Sequence, residues 1–419
     1  MKKDSFMDDG SNARKVIAVN RSVIGPAEAR LRTVRERKLG DYAHLPKVYR
    51  DVAQKLSSPV LMGPPICDEL IALVQHLFTE DEAGAVRHLR LVRGMSAAQV
   101  ARCERRPVEE VESILHRLAN EKFVIISSGP AEDRRYRIMP LMPGMFETSL
   151  IGQDPQNLSP WHRGVAELFE RLYDTGYVLD YQRKGATPFV RYLPVGKAIE
   201  AHPMALPSDQ LEVVLDQFQD FGVGNCQCRM SAQVVGCGCG KPTLNCLVMG
   251  EWAASGIEKG QLRQVSRQEA LAIKREAESY GMVNWMMNVA SSKGQCSCSC
   301  CGCCCKALRA ITEFNAPSVF APPHFVPQHD AARCAACGQC AKRCPMGAIT
   351  VDVRAKSFAW NEARCVGCGL CVLACHARQA LAMSPVPDYR LPYRSWFSLL
   401  VRGVPNMLGT AWRVWRRRA

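Results

Sequence analysis

The chain has 419 residues, of which 47% are hydrophobic and 22 are cysteines, and its net charge is +14. This length allows two to four domains, and the hydrophobic fraction excludes a largely disordered chain. The positive charge does not by itself indicate a nucleic-acid-binding protein, because the two ends, residues 1–40 and 388–419, together carry +11 of it.

The predicted location is the cytoplasm. The N-terminus contains neither an apolar segment typical of a secretory signal nor a twin-arginine pair. No run of about 20 apolar residues predicts a transmembrane helix. In a reducing compartment, dense cysteines indicate metal ligands rather than disulfides. We therefore expect a cytoplasmic protein that binds metals through its thiols.

The first two predicted domains occupy residues 1–145. Residues 1–65 have mixed charge and little periodicity, so we expect an arm that ends at Pro64 and Pro65. Residues 66–145 form a helix-rich module that closes with a hairpin and has helix caps at Thr79 and Ser96. Its predicted elements are helices over Asp68–Phe78, Glu80–Val92, Ala97–Arg102 and Pro107–Leu118, and strands over Phe123–Ser127 and Tyr136–Met139.

This order of elements resembles the winged helix-turn-helix fold over residues 66–145. A helix that reads DNA usually presents basic or amide side chains. The candidate helix instead carries Glu109, Glu110 and Glu112, which repel phosphate. The predicted wing offers arginines that can only position a DNA backbone, namely Arg134, Arg135 and Arg137. We expect this module to pack or to dock a partner rather than to bind DNA.

Residues 146–325 are predicted to form a mixed α/β, cysteine-rich metal-binding domain. Helical periodicity covers Trp161–Tyr173, Leu206–Phe221 with Ser208 as its cap, and Ser266–Tyr280. The last helix lies between two cysteine bursts, and a loop–helix–loop of this kind could fold both bursts onto one site. The bursts contain Cys226, Cys228, Cys237, Cys239 and Cys246, and then Cys296, Cys298, Cys300, Cys301, Cys303, Cys304 and Cys305.

These twelve thiols could supply up to three four-thiolate sites. Dense thiolates repel one another unless a cation or a cluster compensates their charge. Soft thiolate ligands select Zn²⁺, Cu⁺ or iron–sulfur clusters. The C-x-C and CC pairs are less typical of zinc sites than C-x₂-C. We therefore expect at least one further iron–sulfur cluster here, with zinc and other thiol chemistry as the alternatives.

The central pattern also resembles a cysteine-rich domain found beside ferredoxin modules in multidomain proteins of anaerobic bacteria. The resemblance rests on the Cys226–Arg229 segment, on Cys237, Pro242 and Cys246, and on the run Cys298–Cys305. It implies an additional cluster, with candidate ligands Cys226, Cys228, Cys237, Cys246, Cys298, Cys300, Cys301, Cys303, Cys304 and Cys305. The first four are the first choices, whereas Cys239 and Cys296 look like extras of this sequence.

The strongest motif lies near the C-terminus. Two runs with the spacing C-x₂-C-x₂-C-x₃-C begin at Cys334 and Cys365, and Pro345 follows the first run. This spacing resembles bacterial two-cluster ferredoxins over about residues 326–386, in which the fourth cysteine of each run serves the other cluster. Two zinc knuckles would leave the x₃ step and the proline unexplained. Strands are expected over Ala348–Val353 and Ser357–Trp360.

The ferredoxin resemblance implies two [4Fe–4S] clusters. One would be held by Cys334, Cys337, Cys340 and Cys375. The other would be held by Cys365, Cys368, Cys371 and Cys344. Backbone amides would approach the sulfurs beside small residues, namely Ala335, Gly338, Gly367 and Gly369.

One position departs from the ferredoxin pattern. His376 stands where the second motif usually has proline. We expect this change to alter the reduction potential rather than the ligand set.

Residues 387–419 form a basic amphipathic tail. Apolar residues from Trp396 to Trp415 recur at helical spacing, with arginines around them. Gly403, Pro405 and Gly409 weaken a continuous helix. The tail would cover the protein's own surface, make peripheral contact with the inner face of the membrane through residues 394–418, or dock a partner.

The predicted fold is an α+β multidomain chain that closes with a ferredoxin-like βαβ repeat. We expect an electron-transfer protein that relays single electrons between two [4Fe–4S] clusters and the central cysteine-rich centre, with a redox protein as partner. The alternatives are a redox-sensing winged-helix regulator and an iron–sulfur reductase that acts at the central cluster. The sequence identifies no catalytic residue, so an electron-transfer component is favoured over a self-sufficient enzyme.

Overall fold

The structure is a computed structural model that describes residues 13–200 and 202–418. Predictions for residues 1–12 lie outside the described part of the chain. The chain divides into two compact units. One contains Met1–Leu31 and Gln182–Asn406, and the other contains Arg32–Tyr181 and Met407–Ala419. The five-part division predicted from the sequence is finer than this and stays a prediction.

The strands of the described residues pair only in antiparallel fashion, apart from one isolated bridge. They are β1 (Ile17–Asn20), β2 (Val23–Pro26), β3 (Ile125–Ser128), β4 (Arg135–Ile138), β5 (Val190–Leu193), β6 (Phe221–Asn225), β7 (Leu244–Gly250), β8 (Arg263–Gln264), β9 (Val283–Met287), β10 (Gly294–Cys300), β11 (Phe325–His329), β12 (Ile349–Asp352), β13 (Ser357–Trp360) and β14 (Leu381–Pro385).

The α-helices of the described residues range from four residues to 23. They are α1 (Lys47–Leu56), α2 (Asp68–Leu77), α3 (Glu80–Val86), α4 (Ala97–Glu104), α5 (Val108–Asn120), α6 (Phe146–Leu150), α7 (Pro160–Asp174), α8 (Gly196–Ile199), α9 (Leu211–Leu215), α10 (Gln227–Val234), α11 (Glu251–Glu258), α12 (Arg267–Ser279), α13 (Lys306–Thr312), α14 (Gln339–Arg343), α15 (Leu370–Ala374) and α16 (Trp396–Arg418).

The unit that contains Arg32–Tyr181 and Met407–Ala419 is named the helical unit. It contains the predicted order of helices followed by a hairpin. Thr79 and Ser96 each form a capping box at the start of α3 and α4. Helix α3 ends at Val86, six residues before the predicted end. The following segment pairs instead with the hairpin, because Met95 and Tyr136 exchange backbone hydrogen bonds of 3.0 and 2.8 Å. The winged-helix assignment of this module stays a prediction.

The other unit is built on a six-stranded sheet with the order β5-β9-β10-β7-β6-β8. One buried core packs helix α9 and helix α12 on the sheet through Leu215, Ala270 and Met286. A second core contains Tyr192 and Val283 of the sheet. It also contains cysteines of the central segment (residues 226–305) and of the segment with ferredoxin-like cysteine spacing (residues 326–386), which is named the ferredoxin segment. The sheet therefore lies between an ordinary apolar core and a core that is rich in thiols.

The predicted N-terminal arm contains regular structure. Strands β1 and β2 form a hairpin, and β2 pairs with β12 through Ile24–Val351. The resulting sheet has the order β1-β2-β12-β13. The sequence pattern missed this hairpin because its four-residue strands become half-buried only when they pair with the ferredoxin segment.

The predicted helix over Leu206–Phe221 is wrong. A 3₁₀ turn covers Pro207–Asp209, helix α9 is five residues long, and Phe221 begins strand β6. The carboxylate of Asp209 accepts a hydrogen bond from the Leu206 amide at 2.9 Å and pairs with the buried His324 ring at 2.7 Å. These tertiary contacts hold the segment outside a continuous helix, and Ser208 is not its cap.

The C-terminal tail is one helix, α16, although Pro405 lies within it. Leu399, Ala411 and Val414 are buried. Several larger apolar side chains on α16 are exposed, among them Phe397, Val401, Leu408, Trp412 and Trp415. Among the described residues, no helix is both long and apolar enough to cross a membrane. Peripheral membrane contact and partner docking through this helix stay predictions.

The end of α16 is held in the helical unit by Asp180. This carboxylate is buried, with its side chain 1% exposed, and pairs with Arg417, with Arg418 at 2.8 Å and with Arg32 at 3.3 Å. Burial acts to raise the pKa of Asp180, but the arginines outweigh burial and hold it below its ordinary value of 3.8. The ionised carboxylate therefore stabilises the fold at neutral pH, and this contribution is lost as the pH falls through the lowered pKa.

We predict that Asp180→Asn releases the end of α16. The substitution removes the buried negative charge that Arg32, Arg417 and Arg418 share, and we expect a loss of about 1–3 kcal/mol of stability. Trypsin cleavage at the arginines of the last turn should become faster at pH 7. Glu121→Gln, which removes an exposed carboxylate in the same unit, is the control and should leave the cleavage rate unchanged. Equal cleavage rates for wild type and Asp180→Asn would contradict the prediction.

Candidate metal centres

The ferredoxin segment has an internal two-fold repeat of loop and helix. The first cysteine loop leads into α14 and the second into α15. Each helix follows a glycine with positive φ, namely Gly338 at +74° and Gly369 at +75°. Only glycine adopts this conformation without strain, so it turns each loop sharply into its helix. Strands β12 and β13 form the predicted hairpin between the two halves.

The eight ferredoxin thiols surround two separate cavities. The first ferredoxin site is lined by Cys334, Cys337, Cys340 and Cys375. The second ferredoxin site is lined by Cys344, Cys365, Cys368 and Cys371. Each cavity thus collects three cysteines of one run and the fourth of the other. His376 is exposed and lines neither cavity.

The surroundings of these thiols suit a cluster. Backbone amides donate to the sulfurs, from Ala336 to Cys334 at 3.4 Å and from Gly367 to Cys365 at 3.4 Å. Burial raises the pKa of the Cys340 thiol to about 12. Such thiols become thiolates when a positively charged centre compensates them. Four thiols around each cavity, with amides aimed at sulfur, therefore fit two [4Fe–4S] clusters.

The two ferredoxin sites differ in exposure. In the first site Cys337 is exposed and Cys334 is partly exposed. In the second site Cys344, Cys368 and Cys371 are buried. The first site thus opens to solvent, whereas the second lies inside the unit.

Strand β10 arranges the central cysteines. Successive side chains of a strand point to opposite faces, so Cys296, Cys298 and Cys300 share one face of the sheet. Cys246 of the neighbouring strand β7 lies beside Cys298, with their Sγ atoms 3.5 Å apart. Sheet pairing therefore brings the two cysteine bursts together. The helix predicted between them is present as α12.

Four central thiols form a compact group. The Sγ atoms of Cys239, Cys301, Cys303 and Cys304 all lie within 4.8 Å of one another. The Sγ atoms of Cys239 and Cys301 are 3.9 Å apart, and those of Cys303 and Cys304 are 3.8 Å apart. Hydrogen bonds from the other three thiols hold the pKa of Cys301 well below its ordinary value. This set, named the compact thiol group, can hold a metal ion.

A second set of thiols forms a row of neighbours in the order Cys226, Cys228, Cys305, Cys300. Cys226 precedes helix α10, and Cys305 precedes helix α13. The first amide of α13 donates to the Cys228 sulfur at 3.5 Å. This thiol row is adjacent to the compact thiol group in sequence, because both draw on the segment 300–305.

The first-choice ligands of the sequence analysis do not form one site. Cys226 and Cys228 belong to the thiol row, Cys246 lies beside Cys298, and Cys237 belongs to none of the thiol groups of the described residues. Cys239, treated as an extra from the sequence, lies in the compact thiol group. The sequence contained no signal for this difference, because Cys237 and Cys239 are both flanked by glycines.

Two buried cations compensate the central thiols. Arg229 of α10 donates to the Ser299 carbonyl at 2.8 Å and to the side chain of Asn245, and its charge acts on the Cys301 thiol. Lys274 of α12 is fully buried and donates to the Ser297 carbonyl at 2.9 Å. Burial lowers the pKa of Lys274 to about 8, although the nearby thiols of Cys298 and Cys246 oppose this shift. A buried positive charge beside a thiol group favours its thiolate form.

The central cysteine loop touches the second ferredoxin site. A Cβ at Gly302 would lie 1.8 Å from the carbonyl oxygen of Pro345, which follows Cys344. The Gly302 carbonyl accepts a hydrogen bond from Thr312 Oγ1 at 2.8 Å. Buried Arg364 donates both to the Met346 carbonyl at 3.0 Å and to the Thr312 carbonyl at 3.3 Å. Backbone and side chain thus connect the two cysteine-bearing segments directly.

The comparison with protein families supports the ferredoxin segment. Residues 326–376 match the model of the 4Fe-4S dicluster domain. No curated protein and no solved structure matches the chain. The family match covers all eight thiols of the ferredoxin segment. It does not reach the central cysteines.

We predict that Gly302→Ala disrupts the contact with Pro345. The added methyl group cannot fit 1.8 Å from a backbone carbonyl, so one of the two segments must move. We expect a loss of about 1–3 kcal/mol in stability toward urea and faster reaction of the buried thiols with a thiol reagent. Gly196→Ala is a glycine control at the exposed start of α8 in the same unit, with no atom within 4 Å of its added Cβ. Unchanged thiol reactivity in Gly302→Ala would count against the contact.

Proposed function

We propose that this chain is an iron–sulfur electron-transfer protein whose ferredoxin segment exchanges single electrons with a further iron–sulfur cluster in the central thiol-rich region. The cysteine sets of the two ferredoxin sites hold two [4Fe–4S] clusters, which supply one-electron transfer when bound. The observation that carries this proposal is one buried core in which thiols of the central region and of the second ferredoxin site pack together. That core contains Cys300, Cys305, Cys344 and Cys368.

The shared core supports electron exchange between the two regions. Apolar side chains, among them Leu308 and Val366, fill the space around these thiols and exclude water. A dry, rigid setting fixes the positions and the polarity around the thiols, which together set a reduction potential. The Gly302–Pro345 contact adds a backbone connection at the same place. Two members of the thiol row, Cys300 and Cys305, belong to this core.

The open first ferredoxin site is the proposed side for an external redox partner. Arg378 lines this cavity and is exposed. Exposed Arg333, beside Cys334, donates to the side chain of Gln379 at 3.3 Å. Two guanidinium groups therefore flank the solvent-facing thiols, and a partner with an acidic surface would be steered to them.

We predict that anaerobic reconstitution with iron and sulfide loads about eight irons into the ferredoxin segment. Cys371→Ser should lower the iron content and remove part of the low-temperature EPR signal of the reduced protein. Cys103→Ser, which changes an exposed cysteine of the other unit, is the matched control and should keep both. Stoichiometric zinc with no iron in the wild-type protein would refute the proposed function.

We predict that Arg378→Glu slows electron transfer from a reduced acidic flavodoxin at low salt by about 3- to 10-fold, because it reverses a charge at the docking side. The difference should shrink at high ionic strength, where the charges are screened. Arg354→Glu makes the same change at an exposed position of the β12–β13 turn and should have little effect. Equal slowing by both variants would indicate a general charge effect and contradict this docking side.

A further inference from the structure

The spacing of the compact thiol group fits one metal ion. Around a single tetrahedral ion with metal–sulfur bonds of about 2.3 Å, ligand sulfurs lie about 3.8 Å apart. The two closest pairs of the compact thiol group are 3.9 Å (Cys239–Cys301) and 3.8 Å (Cys303–Cys304). All four sulfurs lie within 4.8 Å of one another, so one ion reaches every sulfur.

The ferredoxin segment provides an internal reference for the spacing around a cluster. Its eight thiols line two cavities, with four thiols at each. Among the described residues, only the compact thiol group gathers its sulfurs closely enough to share one ion. A cube of irons and sulfides separates its ligands, whereas the compact thiol group has its sulfurs in direct contact. The same chain thus contains two distinct kinds of four-thiol site.

The local charge also suits a single ion. Four thiolates and one divalent cation leave a net charge of −2, and the buried guanidinium of Arg229 beside Cys301 offsets half of it. The Arg229 guanidinium is held in place by the Ser299 carbonyl at 2.8 Å and by the side chain of Asn245. A buried, oriented cation on a thiolate set is the arrangement expected around a metal site, where outer groups position the ligands.

We propose that Cys239, Cys301, Cys303 and Cys304 hold one tetrahedral metal ion, Zn²⁺ or iron, and not an iron–sulfur cluster. This site is separate from the two ferredoxin sites and does not depend on the proposed electron transfer. Its ion cross-links the loop after Cys237 to the Cys301–Cys304 turn and so holds Gly302 against Pro345. Soft thiolates bind either metal, and the identity of the ion is a result of the test.

The test counts metal against acid-labile sulfide in the full-length reconstituted protein. Iron–sulfur cubes contain equal numbers of iron and sulfide, so a mononuclear site appears as about one metal ion per chain in excess of sulfide. One zinc per chain identifies Zn²⁺, and one surplus iron identifies iron. Equal iron and sulfide without zinc would overturn the proposal, whatever the number of clusters.

Variants assign the surplus ion to these residues. Cys239→Ala should lose the surplus ion and keep its labile sulfide, whereas the matched control Cys237→Ala should keep both. A loss of about four sulfides in Cys239→Ala would show a cluster at this site and overturn the proposal. Loss of the surplus ion in Cys237→Ala but not in Cys239→Ala would overturn the ligand assignment.

A cobalt experiment keeps the proposal testable if Cys239→Ala does not fold. Replacement of the ion in the wild type by Co²⁺ should produce the intense sulfur-to-metal absorption and visible bands of a tetrahedral four-thiolate site. Cys239→His retains a ligand and should bind Co²⁺ with bands shifted toward those of a three-thiolate, one-imidazole site. An identical cobalt spectrum in wild type and Cys239→His would show that Cys239 is not a ligand.

Discussion

The absence of a side chain at Gly302 is the constraint on which the thiol-rich half of this protein depends. The position lies inside the Cys300–Cys305 segment, and any Cβ there would overlap the carbonyl oxygen of Pro345. The contact brings a turn that carries central thiols against the backbone that follows Cys344. Thr312 and Arg364 then hold the two segments in this register through hydrogen bonds to backbone carbonyls. The ferredoxin segment is therefore packed into the unit and is not a separate carrier domain attached to it.

Charge compensation decides which thiols can gather at one place. Burial raises the pKa of most of these thiols, as at Cys340 and Cys365, because an ionised sulfur loses its hydration. The fold places fixed cations where the central thiols are densest, with Arg229 beside Cys301 and Lys274 beneath strand β10. In the ferredoxin sites backbone amides take the same role on a smaller scale. Each group of sulfurs thus has its own source of positive charge, to which a bound metal adds.

The difference in exposure between the two ferredoxin sites distinguishes an external end and an internal end of the proposed electron path. The first ferredoxin site meets solvent at Cys337 and is flanked by arginines, whereas the second is buried in the core that also contains Cys300 and Cys305. An electron carrier needs one accessible end for exchange with another protein and one protected end for exchange within the molecule. The proposed mononuclear ion stabilises the turn between these parts, which is a structural role that zinc fulfils without redox chemistry.

Features that rest on local spacing could be predicted from the amino-acid sequence alone. The two runs of C-x₂-C-x₂-C-x₃-C predicted the ferredoxin segment that the family comparison supports, and the capping residues Thr79 and Ser96 marked helix starts correctly. These signals are readable because ligand spacing and helix caps involve residues only a few positions apart.

Features that join distant segments depend on tertiary contacts that the sequence does not reveal. Cys239 rather than Cys237 meets Cys301 across 62 positions, and no local signal separates two cysteines that have the same glycine neighbours. The N-terminal hairpin is stabilised by its pairing with β12. The contact between Asp209 and His324 holds its segment outside the predicted helix. In each case the energy comes from a partner far along the chain, so the residues involved could be read in the sequence but their partners could not.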